Sequence, residues 1–210
     1  MVEALGVAVR LHQEGHLLEA EGLYRTILSV VPEHPDTLHF LGVLSHQLGR
    51  HAEAVHLVRR AVAMMPEHVD ALSNLGNVLR DNGQLTEAEA TYRKAVALAP
   101  DRVGPRNNLG VVLKNQGRLD EAIAEYHAVL AMAPEYADAH HNLAAALGAQ
   151  GKHDEAVAAA RRAIALRPDH TPAWRNLSQT LYRSGNAAEA SKVLEQWLAI
   201  DPGNPVAAHL

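Results

Sequence analysis

The sequence predicts an all-α protein built from six helix-turn-helix repeats, and three observations carry that prediction. Six of the ten prolines in the 210-residue chain recur every 34 residues, and the other four lie within a few residues of them. A glycine recurs six times with the same period. Between the prolines, apolar residues follow helical spacing with one interruption near each glycine. Because proline and glycine commonly end helices, each period should contain two helices.

The repeats are numbered so that the periodic proline, Pro32 in the first repeat, stands at position 32. We expect helix A over about positions 2–14 and helix B over about positions 18–31 of each repeat. Residues 1–204 then form a single array, and residues 205–210 are interpreted as the truncated start of a further helix. The six repeats are 1–34, 35–68, 69–102, 103–136, 137–170 and 171–204.

Three columns of identical residues indicate how each hairpin is built. Position 15 is glycine, which readily adopts the left-handed backbone often found after a helix. Position 19 is glutamate, whose charge opposes the positive end of the helix B dipole, and position 20 is alanine. Asp120 and Asp154 are predicted to cap helix B, and Thr86 followed by Glu89 has the spacing of a capping box. The glycines are Gly15, Gly49, Gly83, Gly117, Gly151 and Gly185.

Small residues suggest how helix A packs on helix B. Position 8 is Gly42, Gly76 or Gly110 in three successive repeats. We expect these glycines to face the alanines at position 20, because two helix backbones approach closely only where both side chains are small. A leucine in place of Ala122 should therefore overpack the contact and cost about 1–3 kcal/mol.

Composition and charge exclude several classes of protein. Hydrophobic residues make up 48% of the chain and charged residues 20%, which is typical of a folded protein. The absence of cysteine excludes a disulfide framework and fits a cytoplasmic location. A net charge of −5 argues against nucleic-acid binding. Glu3 and Arg10 interrupt the N-terminal apolar stretch, so it is not a signal peptide, and no apolar run is long enough to span a membrane.

The sequence shows no catalytic motif, so this chain alone is predicted not to be an enzyme and to use no cofactor. Its fourteen histidines raise the question of a metal site. Asp36 with His39, and Asp138 with His141, are i,i+3 pairs that could each supply two ligands. Zinc needs a third and a fourth ligand at the same point, and the sequence does not indicate them. We therefore predict histidines on a solvated surface and no metal.

Two segments resemble a known family. The segments NLGNVLRDNGQLTEAEATYRKAVALAPD (74–101) and NLGVVLKNQGRLDEAIAEYHAVLAMAPE (108–135) are similar to tetratricopeptide repeats (TPRs) in their small-residue, tyrosine and proline positions. The resemblance covers residues 1–204 and is weaker in the first and last repeats. It implies a right-handed α-solenoid in which the A helices line a concave groove that binds protein segments.

The resemblance places this groove mainly at positions 2, 5, 6, 9, 12 and 13 of helix A. Position 6 is asparagine in four successive repeats, which looks similar to the asparagine ladder of O-linked N-acetylglucosamine transferases. Two interpretations stay open: these amides bind the backbone of an extended peptide, or they bind neighbouring helix ends or water. An acidic part of a ligand is expected near Arg175 and Arg183. The predicted groove residues are Asn74, Asn77, Arg80, Asn107, Asn108, Lys114, His141, Asn142, Arg175, Asn176, Gln179, Tyr182 and Arg183.

Function is therefore predicted as a scaffold for protein–protein interaction, with a protein or peptide partner and neither nucleic acid nor membrane. The alternative is the substrate-recognition arm of a larger enzyme, because TPR arrays similar to this one precede glycosyltransferase or S-adenosylmethionine-dependent methyltransferase domains in bacterial proteins. Self-association is a third possibility. It would use an apolar strip predicted to be exposed on the last helix, formed by Leu194, Trp197 and Leu198.

Overall fold

The structure, a computed structural model, describes residues 2–204, and all the regular secondary structure in that range is α-helical. The chain forms two compact units, which divide between Pro105 and Arg106. None of the described helices is long and apolar enough to cross a membrane. The helices are α1 (Val2–Gln13), α2 (Leu17–Val30), α3 (Pro35–Gln47), α4 (His51–Met64), α5 (Val69–Asp81), α6 (Leu85–Leu98), α7 (Val103–Asn115), α8 (Leu119–Met132), α9 (Ala137–Ala149), α10 (His153–Leu166), α11 (Thr171–Arg183) and α12 (Ala187–Ile200).

The predicted fold class is confirmed, since each repeat contributes one pair of consecutive helices. Helix A ends at position 13 in every repeat, and helix B spans positions 17–30, within one residue of the predicted bounds. The glycine at position 15 has a φ between 74° and 86° in all six repeats, so its predicted left-handed conformation is also confirmed. The further helix predicted for residues 205–210 lies outside the described residues.

The prediction that side chains cap helix B is wrong. Helix B begins at position 17, so Thr86, Asp120 and Asp154 lie inside its first turn, and the preceding residue makes no side-chain cap. The backbone N–H of Gln84 donates to the carbonyl of Leu79 (2.8 Å), and the same bond recurs in the other repeats. This bond closes helix A and leads the chain directly into helix B, so the N-cap is the residue at position 16, whose side chain makes no cap hydrogen bond.

The predicted partner of the position 8 glycines is also wrong. A Cβ added to Gly76 would lie 2.6 Å from Cζ of Tyr92, and one added to Gly110 would lie 2.5 Å from Cε1 of Tyr126. These rings belong to position 24, one helical turn beyond the predicted alanine at position 20. In an antiparallel hairpin that turns near position 15, residues face each other when their position numbers sum to about 32. Position 8 therefore meets position 24.

The alanine at position 20 is nevertheless buried. We therefore still expect a leucine in place of Ala122 to be destabilising, although its neighbour is not the glycine at position 8. Ala122 is completely buried, and so is its equivalent Ala88. In the fifth repeat, a Cβ added to Gly148 at position 12 would lie 3.9 Å from Cβ of Ala156 at position 20. The alanine column thus packs toward the end of helix A that adjoins the turn, and a larger side chain there would still collide with helix A.

The prediction of an exposed apolar strip on the last helix is wrong for Trp197, its largest member. Trp197 is only 1% exposed and stacks on Trp174, with ring centroids 6.5 Å apart and ring planes 9° apart. Leu194 and Leu198 are half-buried. Trp197 therefore belongs to the core of the last hairpin, because position 27 of helix B faces position 4 of helix A.

The tyrosines at position 24 offer a matched test of buried hydroxyl groups. The Tyr92 hydroxyl donates to Oδ1 of Asn77 (2.6 Å), whereas the buried Tyr126 hydroxyl has no partner among the described residues because Val111 occupies position 9 of its repeat. We expect Tyr92→Phe to lower the free energy of unfolding by about 1 kcal/mol and Tyr126→Phe to leave it unchanged or raise it. Urea denaturation checks both, and equal losses in the two variants would contradict this account.

Candidate functional site

Three of the position 6 asparagines bond to the preceding repeat at position 5. The Asn74 amide nitrogen lies 2.8 Å from Nε2 of His39. In the second unit, the Asn142 amide donates to Oδ1 of Asn107 (3.1 Å). The Asn176 amide nitrogen, also in the second unit, lies 3.2 Å from Nδ1 of His141. Position 5 of one repeat therefore fixes the orientation of position 6 in the next.

These bonds decide which amide atoms remain free for a ligand. Asn74, Asn142 and Asn176 are all half-buried, and their amide oxygens have no partner within the described residues. Asn108 occupies the equivalent place on α7. The amide nitrogens are thus bonded to side chains of the preceding repeat, which are neither helix ends nor water. Each oxygen keeps the capacity to accept a hydrogen bond.

The histidines in these pairs act as neutral acceptors. The pKa of His141 is lowered from 6.5 to about 4, mainly by burial, with smaller contributions from the charges of His170, Lys114 and Arg175 and an opposing one from Asp138. Burial also lowers the pKa of His39, with a smaller contribution from His68. A neutral imidazole nitrogen can accept the asparagine N–H, whereas a protonated one cannot.

This requirement makes the stability of the second unit depend on pH. His141 is protonated near pH 6.5 in the unfolded chain but only near pH 4 in the folded chain. Its contribution to the free energy of unfolding is therefore fully present above about pH 6.5 and is lost as the pH is lowered toward 4. We expect the free energy of unfolding to fall by about 2 kcal/mol between those pH values because of this histidine. Each pKa unit corresponds to about 1.4 kcal/mol, and the total is reduced because the side chain is partly exposed.

The chain supplies its own control for this prediction. His141→Asn should reproduce the Asn107–Asn142 pair at the next junction, because an asparagine oxygen can accept the Asn176 N–H without titrating. Urea denaturation at pH 7 and pH 4.5 should then show a smaller pH-dependent loss in this variant than in the wild type. The control is His127→Asn on α8, whose side chain is exposed; it should behave as the wild type does, and an identical pH dependence in all three proteins would exclude the assigned role of His141.

The remaining predicted groove residues divide between the two units. In the first unit, Asn77 accepts from the Tyr92 hydroxyl, and Arg80 pairs with Asp81 at 2.8 Å. These two side chains are therefore partly engaged inside the fold. In the second unit, Lys114 lies half-buried on α7, where burial lowers its pKa. Four exposed residues follow one another along α11: Arg175, Gln179, Tyr182 and Arg183.

Acidic side chains on the A helices are largely neutralised by basic ones. Asp70 pairs with Arg102 (2.7 Å). Asp138 accepts from both guanidinium nitrogens of Arg167 and from Nε2 of His170. Three cations on the A helices of the second unit form no ion pair within the described residues: Lys114, Arg175 and Arg183. In the second unit, the unpaired cations thus include Arg175 and Arg183, near which an acidic part of a ligand is expected.

The B helices present a different pattern of charge. The arginine at position 25 pairs with the glutamate at position 19 of the next repeat, as in Arg25 with Glu53 (2.7 Å), Arg59 with Glu87 (2.6 Å), and Arg161 with its equivalent glutamate. The recurring glutamate therefore joins successive repeats in addition to lying near the helix dipole. The basic side chains of this column are partnered within the protein.

The histidine–carboxylate pairs weighed as metal ligands have other partners. Asp138 is held by Arg167 and His170, while His141 bonds to Asn176. Within residues 2–204, no group of three or more histidine, cysteine, aspartate or glutamate side chains is arranged to hold a metal ion.

Sequence reasoning missed a second role of histidine. At the start of three A helices, Nδ1 of the preceding histidine accepts a backbone N–H from the first turn, at distances between 3.1 and 3.3 Å. The signal was present, because histidine recurs at position 34. The residues are His34, His68 and His170.

The last hairpin carries an open cleft of about 370 Å³ between α11 and α12. Predicted groove residues Gln179, Tyr182 and Arg183 form one side of it, and Leu194 lies on the other. Tyr182 is 72% exposed. A smaller cleft of about 110 Å³ lies between α9 and α11.

Consecutive helical hairpins of this kind, with polar residues on the A helices, are typical of α-helical repeat proteins. Three family models described as tetratricopeptide repeat match the chain, over residues 10–64 and 47–103, 101–169, and 147–210. The chain belongs to the tetratricopeptide repeat family. No curated protein matches the sequence.

Solved structures of several TPR proteins are similar to this chain. PilW, a type IV pilus biogenesis factor, is 18% identical with a TM-score of 0.89, and the match covers 98% of this chain and 96% of PilW. MamA is 23% identical with a TM-score of 0.67, covering 80% of this chain and 92% of MamA. YrrB, described as a TPR protein with an unusual peptide-binding site, is 19% identical with a TM-score of 0.63, covering 89% and 96%. At these identities the likeness concerns the fold.

Proposed function

We propose that the chain is a protein-interaction scaffold whose A helices bind an extended segment of a partner protein. The observation that carries this proposal is the arrangement of Asn74, Asn142 and Asn176. Each amide nitrogen is fixed by the preceding repeat, and each amide oxygen lacks a partner within the described residues. An extended peptide presents backbone N–H groups that these oxygens can accept, so its backbone would be bound whatever its side chains are.

The bonds between repeats also favour binding energetically. A free asparagine side chain loses rotational freedom when it binds a ligand, and that loss weakens the complex. Here Asn107 and His141 already hold the side chains of Asn142 and Asn176 in one orientation. The second unit therefore has the stronger case as a binding face, since it also carries the unpaired cations Lys114, Arg175 and Arg183.

The TPR family supports the proposal of a peptide ligand. YrrB is described as having a peptide-binding site, and it shares the fold of this chain. The narrower likeness to O-linked N-acetylglucosamine transferases, the recognition arm of a larger enzyme, and self-association through the last helix stay predictions. For self-association, the surface to test is the cleft lined by Tyr182 and Leu194, because Trp197 is buried.

A peptide-display selection tests the proposed function. A library of unstructured 12-residue peptides is selected on the full chain, and the affinities of recovered peptides are measured by fluorescence anisotropy. We expect the double variant Asn142→Ala, Asn176→Ala to bind them about tenfold or more weakly, because two hydrogen bonds of about 0.5–1.5 kcal/mol each are lost.

The matched control is Gln196→Ala, which removes an exposed amide from a B helix. This variant should bind as the wild type does, and circular dichroism should show that all the variants are folded. Unchanged binding by the double variant would contradict the role of the asparagines. Failure to recover any peptide would contradict the proposed function itself.

A further inference from the structure

The cleft between α9 and α11 is made by unusually small side chains on one A helix. Its floor includes Ala145, Gly148 and Ala149, at positions 9, 12 and 13 of the fifth repeat. In the other five repeats, position 12 is histidine, arginine, lysine or tyrosine, and position 13 is glutamine, aspartate, asparagine or arginine. Among the six A helices, α9 alone is small at all three positions, so the cleft lies where these side chains are shorter than at the equivalent positions of the other repeats.

The rim of this cleft is polar and positively charged. Asn176, Gln179 and Arg183 line it from α11. Gln179 and Arg183 are exposed, and Arg183 forms no ion pair within the described residues. The cleft therefore combines a cation with two side-chain amides that can donate hydrogen bonds, and these are the groups that bind a carboxylate.

No acid on α9 or α11 neutralises Arg183. Asp138, the acidic residue of α9, is held by Arg167 and His170, and α11 carries no acid. Two further cations of the A helices, Lys114 and Arg175, also form no ion pair within the described residues. The charge of Arg183 is therefore available to an anion at the cleft.

The cleft is small. Its volume of about 110 Å³ is less than a third of the 370 Å³ of the cleft between α11 and α12, so it suits a short side chain such as aspartate.

We propose that this cleft is a subsite for an acidic side chain of the bound segment, with Arg183 as its ionic partner and Asn176 and Gln179 as hydrogen-bond donors. This inference rests on the proposed function and adds a side-chain preference to it. The backbone of the segment would be held by the asparagine oxygens, and one aspartate would fix its register along the second unit.

Two peptide libraries test the subsite. Both contain 12-residue peptides that lack acidic residues except at one central position, which is aspartate in the first library and asparagine in the second, and each is made with free and with amidated C-termini. Binding to the full chain is measured by fluorescence anisotropy. We expect the wild type to favour the aspartate library by about fivefold or more at low salt, and by less at high salt.

Three variants connect that preference to the cleft. Arg183→Gln should abolish the preference, so that this variant binds the aspartate and the asparagine libraries equally. The double variant Ala145→Val, Ala149→Gln fills the cleft with residues that occupy the same positions in other repeats, and it should abolish the preference too. Arg162→Gln on a B helix is the control and should keep it, and thermal denaturation should show that all three remain folded.

The outcomes separate this inference from the proposed function. Equal binding of both libraries by the wild type would overturn the subsite and leave the scaffold standing, as would a preference retained in Arg183→Gln. A preference seen only with free C-termini would assign the carboxylate to the peptide terminus and would also overturn the side-chain subsite. Binding of neither library would count against the proposed function.

Discussion

Replacing Trp197 with alanine is expected to lower the free energy of unfolding of the last hairpin by about 3–5 kcal/mol, the usual cost of deleting a buried aromatic side chain. Trp197 is 1% exposed and stacks on Trp174, which is itself buried and donates its indole N–H to the carbonyl of Pro168 (2.7 Å). Removing one ring leaves a cavity against the other. Within the described residues this hairpin packs against one other repeat, so the two stacked rings provide much of its support.

The measurement is urea denaturation followed by far-UV circular dichroism and by tryptophan fluorescence. The chain contains two tryptophans, both in this hairpin, so fluorescence reports on it directly. In the variant, fluorescence from Trp174 should change at a lower urea concentration than the overall loss of helix. Tyr182→Ala is the control, since Tyr182 is 72% exposed and should cost less than about 0.5 kcal/mol. Similar losses in the two variants would show that Trp197 is not a core residue.

Replacing Gly76 with leucine is expected to cost about 3 kcal/mol or more. Even a Cβ at this position would lie 2.6–2.8 Å from three carbon atoms of the Tyr92 ring. That ring is completely buried, and its hydroxyl is bonded to Asn77, so it cannot move aside without losing contacts. Overpacking of this kind forces the two helices apart.

Gly22→Leu is the matched control within the same unit. Gly22 is exposed in the middle of α2, and a Cβ there would have no neighbour within 4 Å. Leucine forms helix better than glycine, so this variant should be more stable than the wild type by about 0.5–1 kcal/mol. Urea denaturation compares the two proteins. If both substitutions changed stability by the same amount, the close contact between Gly76 and Tyr92 would be contradicted.

The sequence predicted the repeats better than the contacts inside them. Glycine at position 15 and proline at position 32 act locally, so the helix ends followed directly from the residue types. The partner of Gly76 did not, because small side chains indicate a close approach without indicating which turn of the facing helix lies opposite. The register required the geometry of the hairpin. Trp197 was wrongly predicted to be exposed for the same reason. Apolar residues occupy two faces of α12, and the sequence did not show which face packs on α11.

The candidate site shows a similar division. The asparagines at position 6 were found from their period, and the structure adds that Asn74 and Asn176 bond to histidines 35 residues earlier. Contacts between repeats at this spacing depend on how successive hairpins stack, which no local pattern reveals. The small residues Ala145, Gly148 and Ala149 are visible in the sequence, but the cleft above them depends on the side chains of α11.

The most direct test of the scaffold proposal is the response of the asparagine side chains to a bound peptide. Side-chain amide resonances of the full chain, recorded by nuclear magnetic resonance during titration with a 12-residue peptide from the selection, would show which amides are affected. The account predicts shifts at Asn74, at Asn142 and Asn176, or at both sets, with none at Gln196. Shifts confined to the B helices, with all three asparagines unchanged, would contradict it.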